Sequence, residues 1–385
     1  MAFAAAAADA EAATLRTAVI KAYERPLQPI SRLDEPPEDE GSAGAERATA
    51  DNATTGRFLG HTYETETVEP TPEEAVAELD RLIGEGVRFV VALVDGATLE
   101  RLAARAAEAA PEAVIVNAYA RDDRLRAEAC PANVFHVAPS RAMLADGLAQ
   151  YLIWKKWGDW ALVRGTEAGD EATAEAMRRS ARKFGAEVVE ERVFEQAESM
   201  RTSDTGHVLV QRQIPTFMQG LPDHHVVLAA DENELFATYL PYRTWEPRPV
   251  AGDAGLRALS WHPSHESWGA TQLQRRFERD QGRTMTEVDY QAWLALRVLG
   301  EAVTRTNSAE PRAVRDYLVS DQFEIAAFKG QALTFRPWNQ QLRQGVLLAD
   351  GRSVVSVSPQ EEFLHQRTRL DTLGFDEPES DCSLN

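Results

Sequence analysis

Aromatic and cationic side chains in this chain follow apolar, strand-like runs at the points where those runs end. Tyr119 and Arg121, for example, come just after the run VIVNA at 114–118. In open α/β sheets, ligands bind at the carboxyl ends of the strands, so these side chains are candidates for contacting a small ligand. The candidate ligand-binding residues are Tyr23, Arg25, Asp95, Gly96, Thr98, Tyr119, Arg121, Arg164, Thr166, Arg201, Trp261 and Trp268.

The segment from Asp95 to Thr98 lies between a buried strand and the start of a helix. Gly96 would let the backbone approach a ligand closely, and helix N-termini point amide donors outward. The same residues also suit an ordinary helix cap, with Thr98 as the capping residue. For the arginines the alternative is a solvated surface charge, and for Tyr119 and the two tryptophans it is a place in the core or hinge.

The elements that must position these residues alternate along the first two thirds of the chain. Near-continuous apolar strands separated by amphipathic helices predict an α/β fold with parallel sheets covered on both faces. The predicted strands are 15–23, 88–94, 113–118, 133–138, 160–165, 186–194, 224–230 and 248–252. The predicted helices are 72–86, 98–110, 140–158 and 170–185.

The pattern changes after residue 262. Two long helices are expected at 271–282 and 286–306, and a shorter one at 311–320. A β-like segment follows, in which Asp350-Gly351 is a turn signal between two strands. The two α/β halves, with strands from 15 to 138 and from 159 to 262, resemble each other.

Length and composition allow a two-domain protein with a substantial core. The chain has 385 residues, of which 44% are hydrophobic, and its formal net charge is −20. This charge disfavours binding to nucleic acid or to an anionic membrane surface. No apolar run approaches the roughly 20 residues that a membrane helix needs.

The N-terminus and the cysteines bear on the cellular compartment. Residues 1–14 are rich in alanine and are expected to be either the remnant of a secretory signal or a disordered leader. Cys130 and Cys382 would be free thiols in the cytosol but could form one disulfide in the periplasm. Neither has the spacing of a metal-binding motif.

The usual catalytic motifs are missing from the sequence. It contains no G-x-S-x-G elbow, no phosphate-binding P-loop and no G-x-G-x-x-G turn. The sequence therefore gives no support for a hydrolase of that type, a P-loop protein or a dinucleotide-binding enzyme. His224 and His225 would face opposite sides of a strand, and Pro263 separates His262 from His265. We therefore expect neither an enzyme nor a metal site.

Three segments carry a resemblance to a known family. They are GAERATADNATTGRFLG at 44–60, APSRAMLADGLAQYL at 138–152 and VDYQAWLALRVLGEAV at 288–303. Their order resembles that of the type I periplasmic solute-binding proteins of ABC transporters, in the branched-chain amino-acid-binding branch. The resemblance implies two Rossmann-like lobes with parallel sheets, joined by a three-segment hinge around a ligand cleft.

Carried over to this chain, the family pattern implies discontinuous lobes. Lobe one would comprise 15–138 and 263–334, and lobe two would comprise 139–262 and 335–360. The C-terminal tail, 361–385, extends beyond the simple pattern. The resemblance further implies a monomeric periplasmic protein without enzymatic activity, whose partner is an ABC permease in the inner membrane.

A narrower resemblance concerns the ligand. The segments 130–165 and 328–351 look like the subfamily that accompanies PQQ-dependent alcohol dehydrogenase systems. This resemblance implies that pyrroloquinoline quinone (PQQ), a planar tricarboxylate, is bound as a ligand and not as a catalytic cofactor. PQQ-dependent dehydrogenases are then further expected partners.

Acidic residues at strand ends keep other ligands open. Asp231, Glu232 and Asp253 would repel a polycarboxylate unless arginines lie between, whereas an acidic residue suits the ammonium group of an amino acid. An amino acid or another small carboxylate is therefore the alternative ligand. A ligand-sensing or enzymatic protein on the same fold is the alternative of another class.

Overall fold

The computed structural model describes residues 12–23, 35–195 and 206–384. Two predicted ligand residues, Arg25 and Arg201, lie outside these ranges, as does most of the expected N-terminal leader. Among the described helices, none combines the length and the apolar character that crossing a membrane requires.

Strands and helices alternate through most of the described chain. The strands are β1 (Thr14–Ala22), β2 (Thr62–Val68), β3 (Phe89–Val94), β4 (Val114–Asn117), β5 (Val134–His136), β6 (Asp159–Arg164), β7 (Glu187–Val193), β8 (Val226–Ala230), β9 (Val250–Gly252), β10 (Arg257–Leu259), β11 (Ile325–Ala326), β12 (Ala332–Leu333), β13 (Val346–Ala349) and β14 (Val354–Ser358). The helices are α1 (Ser42–Leu59), α2 (Ala75–Gly84), α3 (Gly96–Ala109), α4 (Arg124–Ala127), α5 (Arg141–Trp154), α6 (Ala168–Phe184), α7 (Gly206–Phe217), α8 (Leu240–Arg243), α9 (Ala270–Gln281), α10 (Glu287–Thr306) and α11 (Pro311–Leu318).

The first sheet is parallel and has the strand order β2-β1-β3-β4-β5. One face packs against α1 and α10, and the other packs against α2 and α3, so strands such as β3 are buried along their whole length. We call this sheet and its helices, with α9 and α11, lobe one. The edge strand β2 was not expected from the sequence, because its pattern TYETETV is largely polar.

Small residues let α1 and α10 approach closely. A Cβ atom on Gly44 would collide with the backbone of Asp289, and one on Gly300 would collide with the side chain of Asn52. Because Gly300 has no side chain, Asn52 of α1 fits against α10 and donates from Nδ2 to the carbonyl of Leu296 at 2.9 Å. The small residues of segment 44–60 therefore serve helix packing in lobe one.

The second sheet is also parallel and has the strand order β7-β6-β8-β9. Helices α5 and α6 cover one face, and α7 and α8 cover the other. An antiparallel sheet of order β10-β13-β14 packs beside α5, and its β13–β14 hairpin turns at Asp350-Gly351 as the sequence predicts. We call these two sheets and their helices lobe two.

The chain passes between the lobes three times. The first crossing lies between β5 and α5, the second between β10 and α9, and the third between β12 and β13. The sequence-based lobe boundaries at 138/139, 262/263 and 334/335 lie in these stretches, and their exact positions stay predictions.

Buried polar side chains tie the three crossings together. Gln344 donates from Nε2 to the carbonyl of Val137 at 2.6 Å, which joins the third crossing to the first. Lys329 donates from Nζ to the carbonyls of Ser260 and Gly345, which joins the second crossing to the third. Burial lowers the pKa of Lys329 to about 7. The hinge is therefore a connected polar network rather than three loose linkers.

The C-terminal tail contacts both lobes. On lobe two, Gly374 donates its N–H to Asp146 of α5 at 2.8 Å, and Glu379 pairs with Arg179 of α6 at 2.9 Å. The tail then reaches lobe one, where Cys382 forms a disulfide with Cys130. Of the two alternatives that the sequence left open for the cysteines, the structure has the disulfide.

Candidate functional site

A small cavity opens at the carboxyl ends of the second sheet's strands. In open α/β sheets, ligands bind at this edge. Lobe two supplies most of the wall, and the loop after β4 of lobe one contributes Arg121. The lining residues are Arg121, Arg141, Leu144, Ala145, Leu148, Thr173, Met177, Glu232, Gly252, Asp253, Arg257, Ala258 and Leu259.

Arg121 reaches the cavity from lobe one. Its Nη2 donates to Oε2 of Glu287, the first residue of α10, at 2.8 Å. The other oxygen of Glu287 accepts the backbone N–H of Ser260 at 2.6 Å and the Ser260 hydroxyl at 2.8 Å. Burial alone would raise the pKa of Glu287, but Arg121 and Ser260 together hold it below its usual value. Glu287 therefore orients Arg121 and fixes the second crossing at the same time.

Arg141 lies on the lobe-two wall, in the first turn of α5. Ser140 caps this helix by accepting the N–H of Met143, so Arg141 projects from the helix start. Its guanidinium binds both oxygens of Glu232, at 2.6 and 2.9 Å. Thr173 donates to Glu232 at 2.8 Å as well. Burial opposes ionisation of Glu232, but Arg141 outweighs it and lowers the pKa of the carboxyl.

Two stacked tyrosines stand beside Arg121 on lobe one. The rings of Tyr23 and Tyr119 lie 4.2 Å apart between centroids and are nearly parallel, with 11° between their planes. The pKa of Tyr119 is raised to about 12, chiefly by burial. Arg121 acts in the opposite direction and lowers this pKa, whereas nearby carboxylates raise it, and one of them is Glu232 of lobe two. Neither tyrosine lines the cavity, although the charges of its residues Arg121 and Glu232 act on Tyr119.

Buried carboxylates shape the loop that carries Glu232. Asp231 accepts the backbone N–H groups of Leu235, Phe236 and Ala237, at 2.7 to 2.8 Å. Asp170 of α6 accepts the N–H of Glu232 at 2.9 Å, and burial raises the pKa of Asp170 to about 6. These bonds fix the loop backbone, so Glu232 is held in place toward Arg141.

The predicted residues Asp95, Gly96 and Thr98 form the start of α3, but the capping residue is Asp95 and not Thr98. Asp95 accepts the N–H of Thr98 at 2.8 Å and its hydroxyl at 2.9 Å. Gly96 is needed because a Cβ atom there would lie 2.5 Å from the carboxyl carbon of Asp122. These residues do not line the cavity, and the polar groups of Thr98 serve the start of α3.

Arg164 ends β6 and Thr166 follows the strand, but neither residue lines the cavity. Arg164 pairs with Glu171 at 3.0 Å and with Glu191 at 2.9 Å, so its charge is already matched within lobe two. Thr166 is exposed to solvent.

The two predicted tryptophans lie outside the cavity. Trp261 is 1% exposed, because the second crossing turns its ring into the core of lobe one, where it stacks on Tyr290 at 4.7 Å. Trp268 is 52% exposed and lines a separate crevice of about 690 Å³ beside Lys329 and Gly330. Among the predicted aromatic residues, Tyr119 is the one on which the cavity residue Arg121 acts electrostatically.

Sequence reasoning missed Arg141 and Arg257 as cavity residues. A signal for Arg141 was present, because Ser140 suits the capping position of α5 and places the next residue at the helix start. Arg257 lies on the short strand β10 and pairs with Glu234 at 3.1 Å. Within the described ranges, no group of three or more histidine, cysteine or acidic side chains is arranged to hold a metal ion.

Comparisons with known proteins agree with this architecture. Residues 36–209 match the family model described as periplasmic binding protein. A sequence comparison with curated proteins gives no match.

Solved structures resemble the whole chain. One is a periplasmic ligand-binding protein of a branched-chain amino acid ABC transporter from Burkholderia xenovorans LB400, with a TM-score of 0.74 and 14% identity over 96% of this chain and 99% of that one. This chain has the type I periplasmic binding protein fold.

Two further solved structures are described as complexes with a ligand. An ABC transporter substrate-binding protein from Desulfitobacterium hafniense, in complex with Leu, has a TM-score of 0.68 and 14% identity over 90% of this chain and 100% of that one. A solute-binding protein from R. palustris, in complex with benzoate, has a TM-score of 0.65 and 13% identity over 90% of this chain and 98% of that one. At such identities the likeness shows the fold alone.

Proposed function

We propose that this protein is a periplasmic solute-binding protein that captures a small molecule between its lobes for an ABC-type permease. The two-lobed fold, the match of residues 36–209 to the periplasmic binding proteins and the three tied crossings support this role. Hinge motion of such lobes closes around a ligand. In this conformation the cavity leaves about 50 Å³ for the centres of water-sized molecules, which is below the usual range of roughly 300–1,000 Å³ for small-molecule sites, so the lobes would have to open to admit a ligand.

PQQ is the ligand that we put first. The observation that carries this proposal is that Arg121 and Arg141 reach one cavity from different lobes, while the stacked Tyr23 and Tyr119 lie outside its lining but within the influence of Arg121. Arginine forks suit the carboxylates of PQQ, and the tyrosine rings suit its planar ring system. Bound PQQ would be cargo, taken up through the permease or delivered to PQQ-dependent dehydrogenases.

An amino acid or another small carboxylate is the second candidate ligand. Glu232 and Asp253 line the same cavity and could receive an ammonium group, while Arg121 could hold the carboxylate. Under this alternative the aromatic pair would close over the ligand's side chain. A ligand-sensing or enzymatic role on the same fold remains the alternative of another class, and conversion of the ligand by purified protein would reveal an enzyme.

A binding screen tests the proposed function. Purified protein is titrated with PQQ, leucine and benzoate by isothermal calorimetry, with thermal melting as a second readout, because a ligand that binds only the folded state raises the melting temperature. We expect tight binding of PQQ, no product and no response to benzoate. Tight binding of leucine without PQQ binding would favour the second candidate, and no binding of any of them would contradict both.

A variant pair tests the cavity. Arg121→Gln removes the guanidinium fork, so PQQ affinity should fall by about 10- to 100-fold, which corresponds to the loss of a charge-assisted hydrogen bond. Lys156→Gln, beyond the far end of α5, removes the same charge elsewhere in lobe two and should leave affinity unchanged. Equal losses in both variants would mean that general attraction, rather than this cavity, accounts for binding.

A further inference from the structure

Asp253 differs from the other charged residues of the cavity. It follows β9, and its Oδ2 accepts the backbone N–H of Asp231 at 2.7 Å. Its other oxygen, Oδ1, makes no hydrogen bond within the described residues, and no lysine, arginine or histidine nitrogen there lies within 4.0 Å of the carboxylate. Asp253 is therefore a cavity carboxyl without a cationic partner of its own.

The remaining charges of the cavity are already matched. Each of its arginines has a carboxylate partner, and Arg141 also lies 3.8 Å from Asp122, so together with Asp253 there are three positive charges against five negative ones when all are ionised. A ligand with several carboxylates would add to this negative excess in a partly buried site, where charges are poorly screened. The pairs are Arg121–Glu287, Arg141–Glu232 and Arg257–Glu234.

The groups around Asp253 favour its neutral form. Burial raises the pKa of Asp253 to about 7; Glu232 and Asp231 of the loop after β8 raise it, and Arg257 on β10 lowers it. On α5, Arg141 faces the cavity but is held by Glu232. The residues of α6 that line the cavity, Thr173 and Met177, are uncharged.

We propose that Asp253 is the specificity-determining residue of the cavity: it takes up one proton from solvent when the cavity binds a carboxylate ligand, and stays ionised when the ligand is cationic at that position. The protonated carboxyl would donate from its free oxygen to a ligand carboxylate, which removes one negative charge and adds one hydrogen bond. This inference rests on the proposed function. It states that the protonation state of Asp253 determines which ligands the cavity binds.

The first test follows proton uptake on binding. Wild-type protein is titrated with PQQ at pH 7.5 in phosphate and in Tris, buffers with different heats of ionisation, so that uptake appears as a difference in observed heat. Because protonation near neutral pH would be coupled to binding, affinity should be about tenfold higher at pH 6 than at pH 8. Asp253→Asn, which keeps an acceptor for the N–H of Asp231, should show neither the uptake nor the pH dependence.

The control for this test is Asp223→Asn, which removes an exposed carboxylate on the same lobe, where it pairs with Arg248. It should behave like wild type. Wild-type affinity that does not change with pH would overturn the proposal, and so would a pH dependence that persists in Asp253→Asn, because the titrating group would then lie elsewhere.

A second test needs no ligand and separates this inference from the proposed function. A carboxyl whose pKa is higher in the folded than in the unfolded state stabilises the fold at low pH, and this contribution is lost as pH rises. Between pH 5 and pH 7, the melting temperature of wild type should therefore fall relative to that of Asp253→Asn. Above pH 8, the melting temperatures of the two proteins should change with pH in the same way. Failure of PQQ to bind would refute the proposed ligand, whereas parallel curves throughout would refute the role of Asp253.

Discussion

At the residue scale, the cavity depends on side chains that do two tasks at once. Glu287 accepts from Arg121 with one oxygen and from Ser260 with the other, so a cavity residue of lobe one and the second crossing share one carboxylate. Ser260 in turn offers its carbonyl to Lys329, which also contacts the third crossing. A short chain of hydrogen bonds thus links Arg121 to the hinge.

Lys329 gives a prediction for stability. Its pKa is about 7 in the folded protein and about 10.4 in an unfolded chain, so between these pH values the unfolded state binds more protons. The free energy of unfolding should therefore rise with pH in this window, by at most about 1.4 kcal/mol per pH unit from this group. Denaturant unfolding at pH 7, 8 and 9 should show this rise in wild type relative to Lys329→Met. Equal slopes in the two proteins would contradict the prediction.

The pairings of the site were hidden in the sequence. Arg121 and Glu287 are separated by 166 positions, and nothing local to either residue indicates that they meet. Glu232 was recognised as an acidic residue at a strand end, but its bidentate partner Arg141 depends on how α5 packs against α6 and the second sheet. Residue type and strand-end position identified Arg121 and Tyr119 as candidates, whereas the contacts of each candidate follow only from tertiary structure.

At the element scale, apolar continuity was the reliable signal. The runs that became β1, β3, β4 and β8 are buried on both faces, so their composition alone predicts parallel strands. The edge strand β2 lacks this signal, because it alternates polar side chains toward solvent. Helix α7 was also not expected, and Pro215 inside it weakens the helical pattern.

The start of α3 gives a prediction at this scale. If Asp95 serves as a helix cap, Asp95→Ala should lower the free energy of unfolding by about 1 kcal/mol, and Asp95→Asn, which retains an acceptor, should lower it much less. Neither change should alter ligand affinity, because the segment does not line the cavity. Thermal melting and calorimetry on the same samples would check both parts, and a loss of affinity without a loss of stability would show that Asp95 contacts the ligand.

At the scale of the whole molecule, the lobes are joined by the three crossings and by the tail. The tail binds α5 through Asp146 and α6 through Arg179, and then ends on lobe one at Cys382. Sequence alone left the disulfide open, because a pair of cysteines 252 positions apart gives no sign of whether they meet in space. The order of the two lobes, in contrast, followed from the alternation of strands and helices and from the family resemblance.

The disulfide gives a prediction for global stability. Closing a loop of 252 residues restricts the unfolded chain strongly, so Cys382→Ser should lower the free energy of unfolding by about 2–5 kcal/mol under oxidising conditions. Cys130→Ser should have a similar effect, and the two changes together should cost little more than either alone. Melting in the presence of a reductant should bring wild type to the level of the variants, and additive effects would mean that each cysteine also acts separately.

The link between Cys130 and Cys382 also determines what happens when the backbone is cut. A single break at any peptide bond between these two positions, including any within the three crossings, leaves both fragments in one covalent molecule. Such a nicked chain would keep its lobes together and migrate as two pieces only after reduction. Cleavage of an exposed loop would then leave the residues of the cavity within one covalently linked molecule.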